Sequence, residues 1–474
     1  MALRRAAHRL ISATYLTLSS PDGYTRARLP TACGGPLGAS WPRSYSHATL
    51  WGHPMARRAS ARGWIVTFAG LGINLALGVL YSWSIIGKAL TAEWGWSAGQ
   101  TSLPYATAVG VFAIAMVFAG RAQDRFGPRI VASLGGVLTG LGLIVASFAQ
   151  ADNALPLILG FGLLAGTGIG LGYAAATPAA VKWFPPQRKG MITGLVVSGF
   201  GLASVYIAPL TTSLLHTYGI ATTLRLLGAV FLIAVVALAQ LLANPPAGYV
   251  PAAPLATAAA SAPKPARRDL DWREMVRTKQ FVLLWIMYAF SAFAGLMIIG
   301  HMAKIAAAQM PGIDLGFGLV AVLAIGNAAG RITAGAVSDR LGETRTMFFV
   351  FVVQALMMAT ISFAKTPLSL FPVAASVGFC YGANLALFPS ATAGFFGTKH
   401  LGVNYGLVFT AWGVGGVFGS MTAGTIVDST GSYAVAYGVA AVLCLLAAGT
   451  TFITKAPEPL AASVQFKARK NKAA

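Results

Sequence analysis

Long apolar segments separated by short polar loops occupy most of the chain from Gly63 onward. A hydrophobic run of about 20 residues is long enough to cross a bilayer as a helix. The pattern predicts twelve such helices, at 63–87, 102–122, 130–149, 155–181, 190–215, 222–243, 280–301, 316–337, 345–364, 368–394, 402–427 and 433–454. They fall into two groups of six. The predicted fold is therefore an all-α integral membrane protein built from two six-helix bundles.

Polar stretches divide the chain into five predicted regions. These are a basic, disordered N-terminal segment at 1–62, a first bundle at 63–243, a cytoplasmic central loop at 244–279, a second bundle at 280–455 and a basic tail at 456–474. The first region has many arginines and few acids, which also fits a targeting peptide. Alternatively, translation starts at Met55, which would leave only a short basic tail. Within the central loop, Arg267–Lys279 is predicted to form a short surface helix.

Composition supports a membrane protein and excludes several other classes. Only 10% of the residues are charged, against about 25% in soluble domains. Lys and Arg outnumber Asp and Glu by 34 to 12, but they lie in short loops, where they indicate topology rather than nucleic-acid binding. Their distribution predicts a cell-membrane protein with both termini in the cytoplasm. No metal-ligand spacing, phosphate loop or nucleophile–base pair is present, so we expect no metal, no cofactor and no enzymatic activity.

A short motif recurs at one common offset and indicates an internal repeat. The sequence GRAQDRFG, with Asp124 and Arg125, follows the second segment, and GAVSDRLG, with Asp339 and Arg340, follows the eighth. A second pair of similar stretches begins at Gly194 and Gly406. Repeats with the same topology predict two bundles related by a pseudo-two-fold axis along the membrane normal.

The duplicated motif, the twelve segments and the long central loop resemble the major facilitator superfamily of secondary transporters. That resemblance implies that Asp124, Arg125, Asp339 and Arg340 act as a latch between the bundles. The stretches FVLLWIMY at 281–288, AGLMIIGH at 294–301 and NYG at 404–406 resemble the oxalate/formate antiporter group and its lactate-permease relatives. So does the pattern that joins Tyr173 to Pro185. This narrower resemblance implies a small organic anion, moved by exchange for a counter-anion or together with protons.

Arg331 is the strongest candidate for a binding residue. A charge inside a membrane helix costs at least ~2.5 kcal/mol and is a functional-site hypothesis by default. The alternative is a side chain that extends to the helix end and reaches the interface. The repeat argues against it, because the equivalent of Arg331 is Met116 and the equivalent of Asn327 is Phe112. A guanidinium binds a carboxylate bidentately, and in the resembling family the arginine of this segment anchors the anion.

Asn327 lies one helical turn from Arg331, on the same face. It is predicted to orient the arginine or to contact substrate. Related monocarboxylate carriers place an acid at this position. An asparagine leaves Arg331 without an internal counter-charge, which favours an anionic ligand.

Aromatic residues complete the predicted site. The oxalate-type relatives carry a lysine where this chain has Trp412, so the resemblance implies one cation fewer and a monocarboxylate rather than oxalate. The alternative is that Trp412 only packs opposite Phe200. Tyr81, Tyr173 and Tyr381 are predicted to offer hydroxyls to a small anion.

His301 and Lys304 end the seventh segment and are predicted to be interfacial, although a histidine can titrate near neutral pH. No Asp or Glu lies well inside a predicted helix. Proton coupling would therefore depend on the substrate, on Arg331 or on His301.

The predicted function is alternating-access transport of small monocarboxylates by a monomer in the lipid bilayer. The alternatives are an oxalate/formate-type dicarboxylate exchanger, a drug exporter and a transporter-like anion sensor.

Overall fold

A computed structural model describes residues 54–185, 188–246, 249, 269–313, 315–397 and 400–455, apart from the side chains of 54–60, 124, 189, 190 and 339. These residues are almost entirely helical. The α-helices are α1 Pro54–Leu77, α2 Trp83–Trp94, α3 Ala98–Phe126, α4 Pro128–Ala146, α5 Leu155–Leu157, α6 Gly166–Val181, α7 Lys189–Ala239, α8 Trp272–Met275, α9 Lys279–Gln309, α10 Gly316–Leu341, α11 Glu343–Thr360, α12 Pro367–Phe396, α13 Leu401–Thr430 and α14 Ala434–Ile453.

Eleven helical stretches in the described residues are long and apolar enough to span a membrane. One of them, within α7, covers both the fifth and the sixth predicted segment. Its course breaks at Gly219, where φ is 71° and ψ is 179°. Glycine adopts this positive φ at little cost, whereas a side chain would be strained. The break makes α7 two crossings, which agrees with the predicted twelve.

The first crossing is not one regular helix. A 3₁₀ turn at Gly78–Ser82 separates α1 from α2 and carries Tyr81. At Gly78 a Cβ atom would lie 2.8 Å from the carbonyl oxygen of Phe200, so glycine lets α7 approach the turn closely. Such short 3₁₀ stretches inside a helix often mark functional positions.

The fourth crossing also changes helix type. A π-helical stretch at Ile158–Ala165 joins α5 to α6, and α6 carries Tyr173 further along.

The two motif loops share one backbone conformation. Gly127 ends α3 with φ 82° and ψ 161°, and Gly342 ends α10 with φ 86° and ψ 152°. Each glycine donates its N–H to the equivalent carbonyl, that of Gln123 at 2.8 Å and that of Ser338 at 2.9 Å. The internal repeat inferred from sequence therefore extends to the local fold.

The latch function of these loops stays a prediction. The side chains of Asp124 and Asp339 lie outside the described residues. Arg125 and Arg340 are both exposed, and the guanidinium of Arg125 stacks over the ring of Phe126, 5.4 Å from its centroid.

The first half, α1–α7, meets the second half, α9–α14, along two main seams. In one seam α3 packs on α13, and in the other α7 packs on α10. Small residues allow the first seam to close, since a Cβ at Gly413 would lie 2.3 Å from that of Ala113. A cavity between the halves is bounded by both seams.

The segment predicted to form a short surface helix contains the four-residue α8, and its position along the membrane surface stays a prediction. Asp271 caps it by accepting the N–H of Glu274 at 2.8 Å, and the Glu274 carboxylate accepts the N–H of Asp271 at 3.3 Å. This reciprocal capping fixes the start of α8.

Candidate functional site

Arg331 lies inside the protein, on the face of α10 that meets the first half. Its side chain is 4% exposed, and it is the only Lys, Arg, Asp or Glu side chain that is buried among those the structure describes. It therefore does not extend to the membrane interface. A buried charge needs hydrogen bonds and a counter-charge to be stable.

The hydrogen bonds of Arg331 leave part of the guanidinium free. Nε donates to Oδ1 of Asn327 at 2.9 Å, and Nη1 donates to the carbonyl of Val197 in the first half at 2.9 Å. Nη2 has no hydrogen-bond partner within the described chain, and neither has Nδ2 of Asn327. Asn327 thus accepts a hydrogen bond from Arg331, and each residue retains a buried donor. The predicted role of Asn327 in orienting the arginine for a ligand stays a prediction.

A chain of hydrogen bonds joins three of the predicted aromatic residues across the two halves. The hydroxyls of Tyr81 and Tyr381 lie 2.8 Å apart, and Nε1 of Trp412 donates to the Tyr381 hydroxyl at 2.8 Å. Gly295 makes room for Tyr381, because a Cβ there would lie 2.4 Å from the tyrosine ring. Tyr81 belongs to the first half and the other two to the second, so the chain crosses the cavity.

Tyr173 belongs to the same cluster. Its ring packs edge-on against Phe112 and Phe200 at centroid distances of 5.6 and 5.4 Å. The hydroxyls of Tyr173 and Tyr81 lie close enough to the guanidinium of Arg331 for electrostatic and weak hydrogen-bond interaction, although neither forms a hydrogen bond of full geometry with Nη2. All six residues predicted from sequence therefore gather around one position.

The space that these residues enclose is small and tightly filled. Eight side chains line it, from Tyr81, Phe112, Tyr173, Phe200, Arg331, Leu385, Phe409 and Trp412. Its empty volume is about 170 Å³, divided so finely that no water-sized sphere fits. A ligand can enter only if aromatic side chains move apart.

Trp412 and Phe200 line this space together, at equivalent positions of the two repeats. Phe112 lies between them, with ring centroids 5.1 Å from Trp412 and 5.9 Å from Phe200. Trp412 therefore packs in an aromatic cluster with Phe112 and also lines the space, and its contact with a substrate stays a prediction.

Sequence reasoning missed several residues of the site. The repeat marks Phe112 only as the equivalent of Asn327, and no sequence pattern marks Phe409 or Leu385. Tyr105 was also missed, although it is fully buried and its hydroxyl has no partner among the described residues. It interacts electrostatically with Tyr81 and Tyr381. The repeat offset was the one available signal, because it pairs Phe112 with Asn327.

His301 is enclosed by protein rather than interfacial as predicted. Its side chain is 2% exposed and contacts α3, α13 and Tyr433. It lies toward the end of α9, away from Arg331.

Apolar spanning helices, a duplicated loop motif and a charged site between two halves together define a multi-pass membrane transport protein. The sequence matches the family Major Facilitator Superfamily over residues 63–322 and 297–473. The chain belongs to that family, and it is a transport protein rather than an enzyme.

Its relatives include several carriers. The chain is 31% identical to the MFS-type transporter YhjX of Escherichia coli (strain K12), over 75% of this chain and 86% of the relative. It is 27% identical to the oxalate:formate antiporter of Oxalobacter formigenes, over 78% of this chain and 86% of the relative. It is 29% identical to monocarboxylate transporter 11 of Mus musculus, over 79% of this chain and 83% of the relative. The resemblance to the oxalate/formate antiporter group is thereby confirmed.

Proposed function

We propose that the protein is an alternating-access carrier of small organic anions, with monocarboxylates of lactate or formate size as its substrates. One observation carries the proposal. The guanidinium of Arg331 is buried with Nη2 unpartnered, and Nδ2 of Asn327 is unpartnered beside it. Two buried donors next to an uncompensated positive charge match a carboxylate, which accepts two hydrogen bonds and supplies the negative charge.

The size of the site favours a small ligand. Its walls are aromatic and aliphatic apart from Arg331 and the tyrosine hydroxyls. One guanidinium matches one carboxylate, and Trp412 presents an apolar surface where a dicarboxylate would need a second cation. The names of two relatives, an oxalate:formate antiporter and a monocarboxylate transporter, support a carboxylate substrate.

The transport cycle follows from the position of the site between the halves. Arg331 bonds to the first half through Val197, and Tyr381 bonds to it through Tyr81. A carboxylate that takes up Nη2 and Nδ2 competes with or adds to these contacts. It thereby changes the relative stability of the states in which either end is open. We further propose a monomer in the cell membrane, with both termini cytoplasmic and protons or a counter-anion as the coupled species.

The test is uptake of radiolabelled lactate, formate and oxalate into proteoliposomes. Wild type is expected to take up lactate or formate faster than oxalate. Arg331→Ala is expected to lose uptake at least ~100-fold, because a buried charge-assisted contact contributes about 3 kcal/mol. Arg225→Ala is the matched control, since Arg225 is exposed and bonds to Ser147 away from the site.

Two results would contradict the proposal. Normal uptake by Arg331→Ala would remove Arg331 from the site. Faster uptake of oxalate than of lactate by wild type would favour the dicarboxylate exchanger instead.

A further inference from the structure

A second polar cluster joins the two halves at the end of the protein where α3 begins and α9 and α13 end. We call it the Asp428 layer, and it consists of Thr101, Ser102, His301, Lys304, Ser420, Asp428 and Tyr433. None of these residues contributes to the space around Arg331.

Asp428 closes this layer by capping a helix of the other half. Its two carboxylate oxygens accept the N–H groups of Ala98 and Gly99, each at 2.7 Å. These are free donors of the first turn of α3, where the helix dipole also favours a negative charge. Lys304 adds a second link between the halves by donating to the Thr101 hydroxyl.

His301 lies inside the layer, and its contacts fix its protonation pattern. Nε2 lies 3.2 Å from the carbonyl of Ser420 and 3.0 Å from the hydroxyl of Ser102. A carbonyl only accepts, so Nε2 carries the hydrogen. The Ser102 hydroxyl gives its own hydrogen to the Ala98 carbonyl at 2.7 Å and accepts from His301.

Nδ1, the other ring nitrogen of His301, is the atom that can bind an additional proton. In the neutral ring Nδ1 accepts a hydrogen bond from the Tyr433 hydroxyl, 3.0 Å away. Burial raises the pKa of the Tyr433 hydroxyl, so that group stays neutral and can turn its lone pair toward an Nδ1–H. The protonated ring would then have an acceptor for each of its hydrogens.

The charges around His301 decide which state of the layer a proton favours. Lys304 faces it from the same helix and Asp428 from α13, whereas the described part of α3 contributes only the hydroxyls of Thr101 and Ser102. A protonated His301 therefore places two cations, its own buried ring and the partly buried Lys304, beside one exposed carboxylate. Two cations repel less in water than inside a protein, so the proton binds better when the halves part.

We infer that His301 is a proton-binding site whose occupation opens the Asp428 layer. By linkage, a proton that binds His301 more tightly in the open layer shifts the population of molecules toward the open layer. Acidic medium at this end is thus expected to open the layer, and neutral medium to close it. The inference goes beyond the proposed function, because it needs neither Arg331 nor a carboxylate.

Cysteine accessibility tests the inference without any substrate. The reporter is Ser420→Cys in protein that also carries Cys33→Ala, Cys380→Ala and Cys444→Ala. The Ser420 hydroxyl is buried and has no partner among the described residues, so the change removes no described hydrogen bond. Maleimide labelling in detergent is measured at pH 5.5 and 7.5. Exposed Ser429→Cys on the same helix corrects for the intrinsic pH dependence of thiols.

The ratio of Ser420→Cys to Ser429→Cys labelling is expected to rise at least ~5-fold at the lower pH, the factor that a coupling free energy of about 1 kcal/mol gives. His301→Gln should abolish the rise, since its amide can still donate to Ser420 but binds no proton. A constant ratio in wild type, or the same rise in His301→Gln, would overturn the inference.

Lys304→Gln supplies a second measurement in case His301→Gln does not fold. Removing the neighbouring cation is expected to move the midpoint of the labelling change to higher pH. A merely structural role for His301 would leave that midpoint unchanged, and this result would also overturn the inference. Carboxylate uptake plays no part in either measurement, so the failure of one proposal is distinguishable from the failure of the other.

Discussion

Arg331 offers three donor groups, and two of them have partners in the described chain, Asn327 and Val197. The two partners are neutral oxygens, so they hold the guanidinium in place without cancelling its charge. We therefore propose that an amide rather than a carboxylate at position 327 is what lets the site attract an anion. In this chain the amide oxygen accepts from Nε, and Nη2 has no hydrogen-bond partner among the described residues.

Asn327→Asp is expected to weaken carboxylate transport. The new carboxylate would pair with Arg331 inside the protein, and a substrate would have to compete with it. We expect KM for lactate to rise about tenfold or more, equivalent to about 1.4 kcal/mol. Uptake kinetics in proteoliposomes measure the change. Asn327→Ala removes the same donor without adding charge and should raise KM less. An unchanged KM in the aspartate variant would argue against an anion at Arg331.

Trp412→Lys is expected to shift preference toward dicarboxylates. Trp412 and Arg331 line the same small space, so a lysine there gives a second fixed cation for a second carboxylate. The oxalate to lactate uptake ratio should rise at least ~10-fold, or about 1.4 kcal/mol of discrimination. Trp412→Phe keeps the aromatic wall, and its ratio should stay low. If the lysine variant remains folded with an unaltered ratio, Trp412 does not set substrate size.

At this scale the sequence identified Arg331 and Asn327 because a charge and an amide in an apolar helix stand out, and because the repeat lacks them. It could not single out Phe112, Phe409 or Tyr105, since a buried aromatic residue in a membrane helix looks the same whether or not it faces a cavity. The partners of His301 were equally hidden. They come from two other helices and a loop, and pairing across such distances leaves no periodic signal.

At the scale of elements, α3 depends on the other half of the protein for its N-terminus. Its own cap is Ser97, which accepts the N–H of Gln100, and Asp428 binds the preceding two N–H groups. The start of α3 is thus complete only when the Asp428 layer is closed. Helix α7 differs from α3, because the break in α7 is caused by Gly219 within the helix itself and not by a residue of the other half. The segment lengths predicted twelve crossings correctly, yet they could not reveal that two of them join without a loop.

Gly99→Ala is expected to loosen the Asp428 layer. A Cβ at this position would lie 2.8 Å from Oδ2 of Asp428, so the carboxylate must move and its hydrogen bonds to α3 weaken. Labelling of Ser420→Cys at pH 7.5 should rise about threefold, since a lost charge–dipole contact contributes about 0.3–1 kcal/mol.

Gly449→Ala in α14 is the matched control, because no described atom lies within 4 Å of its Cβ position. Alanine there should leave labelling unchanged and favour the helix slightly. Equal labelling in both variants would mean that Asp428 does not hold the layer closed.

At the scale of the whole molecule, the two halves share their loop geometry but not their chemistry. Gly127 and Gly342 adopt one conformation, whereas Arg331 and Asn327 have apolar equivalents in the first half. A symmetric scaffold can thus carry an asymmetric site. The loop charges predict which end of this scaffold faces the cytoplasm.

Intact cells provide the test of orientation. In cysteine-free protein, Ser429→Cys at the Asp428 end is expected to react with a membrane-impermeant maleimide added outside. Arg345→Cys, exposed at the end that carries the motif loops, should react only after permeabilisation. The reverse pattern would invert the proposed topology and place the Asp428 layer in the cytoplasm.

The filled space around Arg331 has a consequence for the empty carrier. No water-sized sphere fits between its aromatic walls, so this space holds no continuous column of water in the described state. A stray ion would have to give up its hydration entirely, at a cost of tens of kcal/mol in a low-dielectric medium. A membrane potential of 100 mV offers only about 2.3 kcal/mol per charge to drive it. In the described state, the space around Arg331 therefore gives an ion no water-filled position at the centre of the protein.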